Sequence, residues 1–107
     1  MEKILKGSVS DIVINDEKNA IYANVSFENS SIKKLYVCVT KPTPYSDMYL
    51  LWIVDDNNPT FSYQEGYDLK RGWELSKPET SQAIYVSLIH TIKVKVFLNL
   101  LNILRGE

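Results

Sequence analysis

Charge of one sign is what this sequence most plainly lacks. Twelve Lys and Arg stand against 13 Asp and Glu, a net charge of -1 at pH 7. Duplex-DNA binders take much of their affinity from neutralising phosphates, so the missing basic surplus argues against that class. Cysteine is almost absent. Cys38 stands alone, so no internal disulfide can form and an oxidising compartment is not implied. The four glycines, Gly7, Gly66, Gly72 and Gly106, are scattered, which excludes a Gly-rich phosphate loop. His90 is the single histidine. It has no zinc-type spacing with other ligands, and a pairing with Cys38 has no support in the sequence. The opening Met-Glu-Lys-Ile-Leu-Lys-Gly-Ser holds no long apolar segment, so no signal peptide is expected. The most apolar stretch, Ala83 to Leu104, is interrupted by His90, Lys93 and Lys95, so no membrane span is expected. These absences predict a cytoplasmic protein that is not an enzyme and carries no metal or cofactor.

What is present suits an ordinary folded domain. Hydrophobic residues are 45% and charged residues 23% of the 107-residue chain, unlike the apolar-poor, highly charged composition of disordered segments. The length suits one domain, and no repeat or linker divides it. A single domain over 1–107 is expected, with strands across 3–75 and a helix across 77–104.

Period-two alternation marks the strands. Ile21, Ala23, Val25 and Phe27 share one face; Tyr22, Asn24 and Ser26 share the other. The preceding Ile4–Ile14 segment is also strand-like, and Asn15-Asp16-Glu17-Lys18-Asn19 is a polar turn, so the two read as a hairpin. Leu35, Val37 and Val39 alternate with Lys34, Tyr36, Cys38 and Thr40 until Lys41-Pro42-Thr43-Pro44 stops the ladder. Met48 to Val54 is apolar throughout, the pattern of a strand covered on both faces. After the turn at Asp55-Asp56-Asn57-Asn58-Pro59 come a short strand near Thr60–Gln64 and a last one through Leu69, Arg71, Trp73 and Leu75.

The period then changes. Ser76-Lys77-Pro78-Glu79 has the form of a capping box, with Ser76 as N-cap and Glu79 three residues on. Ser87, Thr91, Lys95, Asn99 and Asn102 recur at helical steps and make one polar stripe. The β-branched run Ile92–Val96 fits a strand as well, leaving helix and strand both open across 91–97. The fold class is therefore α+β: an antiparallel sheet of five or six strands, then one long C-terminal helix packed on it. That helix is apolar around most of its circumference. Val94, Phe97, Leu101 and Leu104 exceed what one sheet is expected to cover, which predicts a homodimer through the helix.

Three constellations bear on function. Asp56, then Asp68-Leu69-Lys70, has the order of a metal-dependent nuclease site. Their neighbours read as turns, so solvated carboxylates are expected instead. The second is an acidic–aromatic segment: Phe61, Tyr63 and Tyr67 lie among Asp55, Asp56, Glu65 and Asp68. Rings anchor interfaces, and negative charge steers a basic partner. The bland alternative sends the rings into the core and leaves the acids in solvent. The third is Gly66-Tyr67-Asp68-Leu69-Lys70-Arg71-Gly72-Trp73-Glu74-Leu75-Ser76 with a helix after it. It resembles the last strand and helix entry of the PC4-like single-stranded-DNA-binding fold, over residues 66–90. The resemblance implies four strands, a helix and dimerisation through that helix. The basic residues it would use are few, and the N-terminal hairpin is a departure from that family.

Two functions are expected on these grounds. The first is a non-catalytic protein-binding domain of the inhibitor, neutralising or accessory kind. It would meet another protein, possibly a basic one, through Asp55, Asp56, Phe61, Tyr63, Glu65, Tyr67 and Asp68. The alternative is a single-stranded nucleic-acid binder using Lys33, Lys34, Tyr36, Lys70, Arg71 and Trp73, with bases stacked on rings along a basic groove.

Overall fold

A computed structural model describes residues 4–75 and 78–106. Six strands form one antiparallel sheet, each beside its sequence neighbour. They are β1 (Gly7–Asn15), β2 (Ala20–Phe27), β3 (Lys34–Thr40), β4 (Tyr49–Asp55), β5 (Asn58–Asp68) and β6 (Gly72–Trp73). One C-terminal helix comes after them, Ala83–Arg105. The arrangement is α+β, in one compact unit with a radius of gyration of 13.2 Å.

Local chemistry sets the turns. Asn15 Oδ1 accepts from Lys18 N–H at 3.2 Å, and Asn19 takes a left-handed φ of 50°, which asparagine tolerates better than most residues. This closes the β1–β2 hairpin. β1 carries a bulge between Ser10 and Val13. At it, Asp11 has φ 54°, and its carboxylate accepts from Asn24 Nδ2 at 2.8 Å.

The alternation of β2 and β3 divides the sheet into two faces. Ile21, Ala23, Val25, Leu35, Val37 and Val39 are all buried on the inner face. Leu51 and Ile53 continue that face on β4. The apolar run of β4 does not mean double coverage, however. Trp52 is exposed on the outer face, between partly buried Leu50 and Val54. Only the inner half of the strand is under the helix.

The helix begins later than the sequence suggests. Ser76, the expected N-cap, lies outside the described residues. Pro78–Gln82 is irregular, and the first helical turn is a 3₁₀ turn at Ala83–Tyr85. The intervening chain still belongs to the sheet edge. Glu74 N–H donates to Gly66 O at 3.1 Å, and Leu75 N–H donates to a Glu65 carboxylate oxygen at 2.8 Å. Thr80 Oγ1 accepts from Gln82 N–H at 3.2 Å, a local bond that competes with helix formation. The segment expected to be one strand running into a helix thus holds a two-residue β6, and Pro78–Gln82 is irregular. This departs from the layout that the PC4-like resemblance implies.

From Val86 the chain is α-helical to Thr91 (α1), makes a π turn at Ile92–Val96, and is α-helical again from Phe97 to Arg105 (α2). The 91–97 run is therefore helical. A π turn holds an extra residue and so rotates α2 relative to α1. Phe97, Leu100, Leu101 and Leu104 all face inward and are buried. This corrects the expected dimer face. Of Val94, Phe97, Leu101 and Leu104, only Val94 is exposed, because the wide sheet and the rotated α2 bury the other three within one chain. The polar stripe is broken too. Thr91 is buried; its Oγ1 accepts from Leu5 N–H at 2.9 Å and donates to Ser87 O at 2.8 Å. By length and composition the helix could also cross a membrane, but here it is the core helix of the sheet.

Candidate functional site

The acidic–aromatic segment is mostly interior. Asp55, Phe61, Tyr63 and Glu65 are buried. Phe61 stacks on Tyr85 with ring centroids 3.6 Å apart. Tyr85 O–H donates to Asp55 Oδ2 at 2.8 Å, and Asn58 Nδ2 donates to Tyr85 Oη at 2.9 Å. Tyr67 packs against Trp73 and Phe97. Only Asp56 and Asp68 remain toward solvent, at opposite ends of β5. The register sets Asn58 opposite Asp55 and Tyr67 opposite Tyr49, which puts Asp56 and Asp68 roughly 20 Å or more apart. They can share neither a partner's anchor nor a metal ion. Asp68 is instead a turn residue, accepting from Lys70 N–H at 2.8 Å and Arg71 N–H at 3.1 Å. Those two bonds hold its carboxyl below the usual aspartate value. The expected seven-residue surface is therefore not a surface: the rings fill the core, and two of the acids serve helix residues.

Glu65 and Lys93 make the other interior network. Lys93 Nζ lies 2.6 Å from Glu65 Oε1, with both side chains buried. Tyr63 O–H donates to the same oxygen at 2.5 Å, Lys93 also donates to Leu75 O at 3.3 Å, and its ammonium sits 4.8 Å from the Trp73 ring centroid. A buried ion pair is tolerable only when every remaining lone pair and proton is used. Among the described residues no buried side-chain N or O lacks a partner. The π turn carries Lys93, and the network fastens the helix to β5.

Burial raises Tyr63, and the bond to Glu65 adds to this. Burial likewise raises Tyr85, with Asp55 second. Both folded values lie above the ordinary 10.0. Their contribution to stability is thus fully present below pH 10.0 and is lost as pH rises through the raised values. An alkaline titration should show Tyr63 and Tyr85 ionising only as far-UV ellipticity collapses. Ionisation of all seven tyrosines with native ellipticity intact would contradict the networks.

The residues of the nucleic-acid alternative are dispersed. Lys34 pairs with Ser26 at one end of the sheet, with Lys33 beside it. Lys70 and Arg71 lie in the β5–β6 turn at the other end. Tyr36 is on the outer face, whereas Trp73 is on the inner face, 4.4 Å from Phe97 between ring centroids. No single groove links them. Lys33→Glu with Lys34→Glu is expected to leave the fold intact, since both are exposed. A loss of more than about 1 kcal/mol in chemical denaturation would contradict this, as surface changes rarely cost so much. Cys38 and His90 are also apart, on the outer face and on the helix beyond the inner face.

What the structure does bring together is the outer face. The register aligns Val13, Tyr22, Cys38, Trp52 and Gln64 across five strands. The next row is Ser10, Asn24, Tyr36, Val54 and Ser62. Tyr22 and Tyr36 stack with centroids 6.0 Å apart and planes 18° from parallel. Trp52 is 40% exposed and Tyr36 37%. Between them lies a shallow pocket of about 270 Å³, lined by Tyr36, Cys38, Thr40, Trp52 and Val54. Charge lies around the rings, at Asp11, Lys18, Lys34 and Asp56, and Lys18 is close enough to act on the Cys38 thiol. Burial pushes the Cys38 thiol up, against smaller lowering effects of Tyr22 and Lys18, so it stays a neutral thiol rather than a nucleophile at pH 7. A larger depression of about 570 Å³ near the start of β1 is lined by Lys6, Glu28 and Lys95 among others; Phe27 is its one ring, and that ring is buried. Among the described residues no three His, Cys, Asp or Glu side chains are grouped to hold a metal.

No family model, curated protein or solved structure matches the chain.

Sequence reasoning missed this face. The signal was available in β4: an apolar strand beside a β3 whose alternate residues include Tyr36 and Cys38 has two apolar faces, and only one helix exists to cover them.

Proposed function

We propose that this domain is a non-catalytic protein-binding module of the inhibitor or accessory kind, and that it docks its partner on the outer face of the sheet. The observation that carries this is the exposed pair Tyr36 and Trp52 around an uncharged apolar pocket. Interfaces are depleted of charge at their centre and enriched in aromatic residues. Hot spots concentrate on Trp and Tyr in desolvated pockets. Hydroxyl and amide side chains surround these rings, as in antibody paratopes. Interior strands hold the rings in place, so little conformational freedom is lost on binding. A free thiol at Cys38 suits a reducing compartment, and we place the domain in the cytoplasm.

A single-stranded nucleic acid is the second reading, favoured by the Tyr22–Tyr36 stack on an open sheet, since exposed rings on a sheet can stack bases. Against it stands the charge of that face, where Lys34 is the one basic residue within the two aromatic strands β2 and β3.

The test is a pull-down from the native host, with Tyr36→Ala plus Trp52→Ala beside the wild type. The double variant should stay folded, within about 1 kcal/mol of wild type, and lose the captured protein at least tenfold. Equal capture by both would sink the outer-face assignment. Recovery of single-stranded nucleic acid, with affinity falling steeply as salt rises, would move the conclusion to the second reading.

A further inference from the structure

The two edges of this sheet differ. Beyond β5 the chain stays bonded through Glu74 to Gly66 and through Leu75 to Glu65. Among the described residues no strand pairs the outer side of β1. Hydrogen-bond alternation shows which backbone groups that leaves open. Phe27 N–H donates to Lys33 O, and Lys41 N–H to Asn19 O. Odd-numbered β2 residues therefore turn to β3 and even-numbered ones to β1. Tyr22 bonds to its partner Val13, and Ile14, opposite Ile21, directs its N–H and C=O outward.

This open stretch is also apolar. Ile12, Val13 and Ile14 are 42%, 56% and 48% exposed. Soluble proteins usually blunt such an edge with lysine, proline or a bulge. The bulge of β1 ends before Val13, and Val13, Ile14 and Asn15 pair regularly with β2. What an edge of unpaired N–H and C=O groups accepts is another strand.

We propose that β1 pairs antiparallel with β1 of a second copy of this chain, about a two-fold axis at Val13. The sequence is self-complementary there. Ile12 meets Ile14 of the second copy and Val13 meets Val13, while Asp11, left-handed at the bulge and bonded to Asn24, ends the pairing. Apolar faces apolar, and no like charges oppose one another. A two-fold arrangement uses the same strand from both copies and closes on itself. The two sheets continue as one, with both outer faces on the same side and still open. The proposal is thus independent of the partner assigned to that face.

Sedimentation across a rising concentration series tests this together with a cross-link. Wild type should pass from monomer to dimer. Ile14→Pro should remain monomeric with an unchanged far-UV spectrum, because it removes an outward N–H and no bond to β2. Val13 and its counterpart form a non-hydrogen-bonded pair, with Cα atoms about 4.5 Å apart, within disulfide reach. Val13→Cys in a Cys38→Ser background should therefore form a disulfide-linked dimer at least tenfold faster than Ile84→Cys in the same background, a site exposed on the helix. Wild type remaining monomeric throughout would overturn the proposal. So would cross-linking of Val13→Cys no faster than Ile84→Cys, or a folded Ile14→Pro that dimerises as the wild type does. If Ile14→Pro does not fold, the cross-link rates decide.

Discussion

Glu65→Ala is expected to lower the unfolding free energy by about 3–5 kcal/mol, the cost of leaving a buried charge without its counter-ion. Lys93 would keep only Leu75 O and the Trp73 ring, and Leu75 N–H and Tyr63 O–H would lose their acceptor. Lys93→Met should cost less, because Glu65 keeps those two donors. Glu65→Leu with Lys93→Met should lie between Glu65→Ala and wild type, since apolar side chains remove the buried charges but still leave Leu75 N–H and Tyr63 O–H without their acceptor. Urea denaturation of the four proteins provides the comparison. A Glu65→Ala variant within about 1 kcal/mol of wild type would mean that the pair is solvated, and that the helix is not fastened to β5 as described.

Phe97→Ala is expected to destabilise by about 3–5 kcal/mol. The ring is fully buried, between Tyr67 at 4.8 Å and Trp73 at 4.4 Å from centroid to centroid, and its removal leaves a cavity that those rings cannot readily close. Leu98→Ala, one position on but exposed, should change stability by no more than about 0.5 kcal/mol. The pair of variants separates two uses of the helix. A residue at a dimer face would change oligomeric state with little effect on the fold of one chain. A residue in the core changes stability at every protein concentration. A Phe97→Ala loss that occurs only on dilution would return the helix to an interface.

The same contrast shows what the sequence could convey. β2 and β3 were legible because each has one covered face, so Ile21–Phe27 and Leu35–Val39 alternate cleanly. β4 was legible as a strand but not in its exposure, because Leu50, Trp52 and Val54 are as apolar as the residues beneath the helix. The helix was legible in type. Its start was not, because Glu74 and Leu75 serve the β5 edge through bonds to Gly66 and Glu65 that no local pattern announces. Its buried face was hidden by the π turn, which shifts the phase between Thr91 and Phe97. The acidic–aromatic segment misled for a related reason. Asp55 and Glu65 are acids whose partners, Tyr85 and Lys93, are 30 and 28 residues away, and long-range pairing of this kind leaves no spacing to read.

The outer face carries the proposed function, and carbene footprinting of the domain alone and with its captured protein tests it most directly. Labelling of Tyr36 and Trp52 should fall severalfold on binding, while Tyr45, 96% exposed in the β3–β4 connection, and Ile84 on the helix stay unchanged. Unchanged labelling of Tyr36 and Trp52, with protection instead at Asp56, at Asp68 or around Lys33 and Lys34, would contradict it.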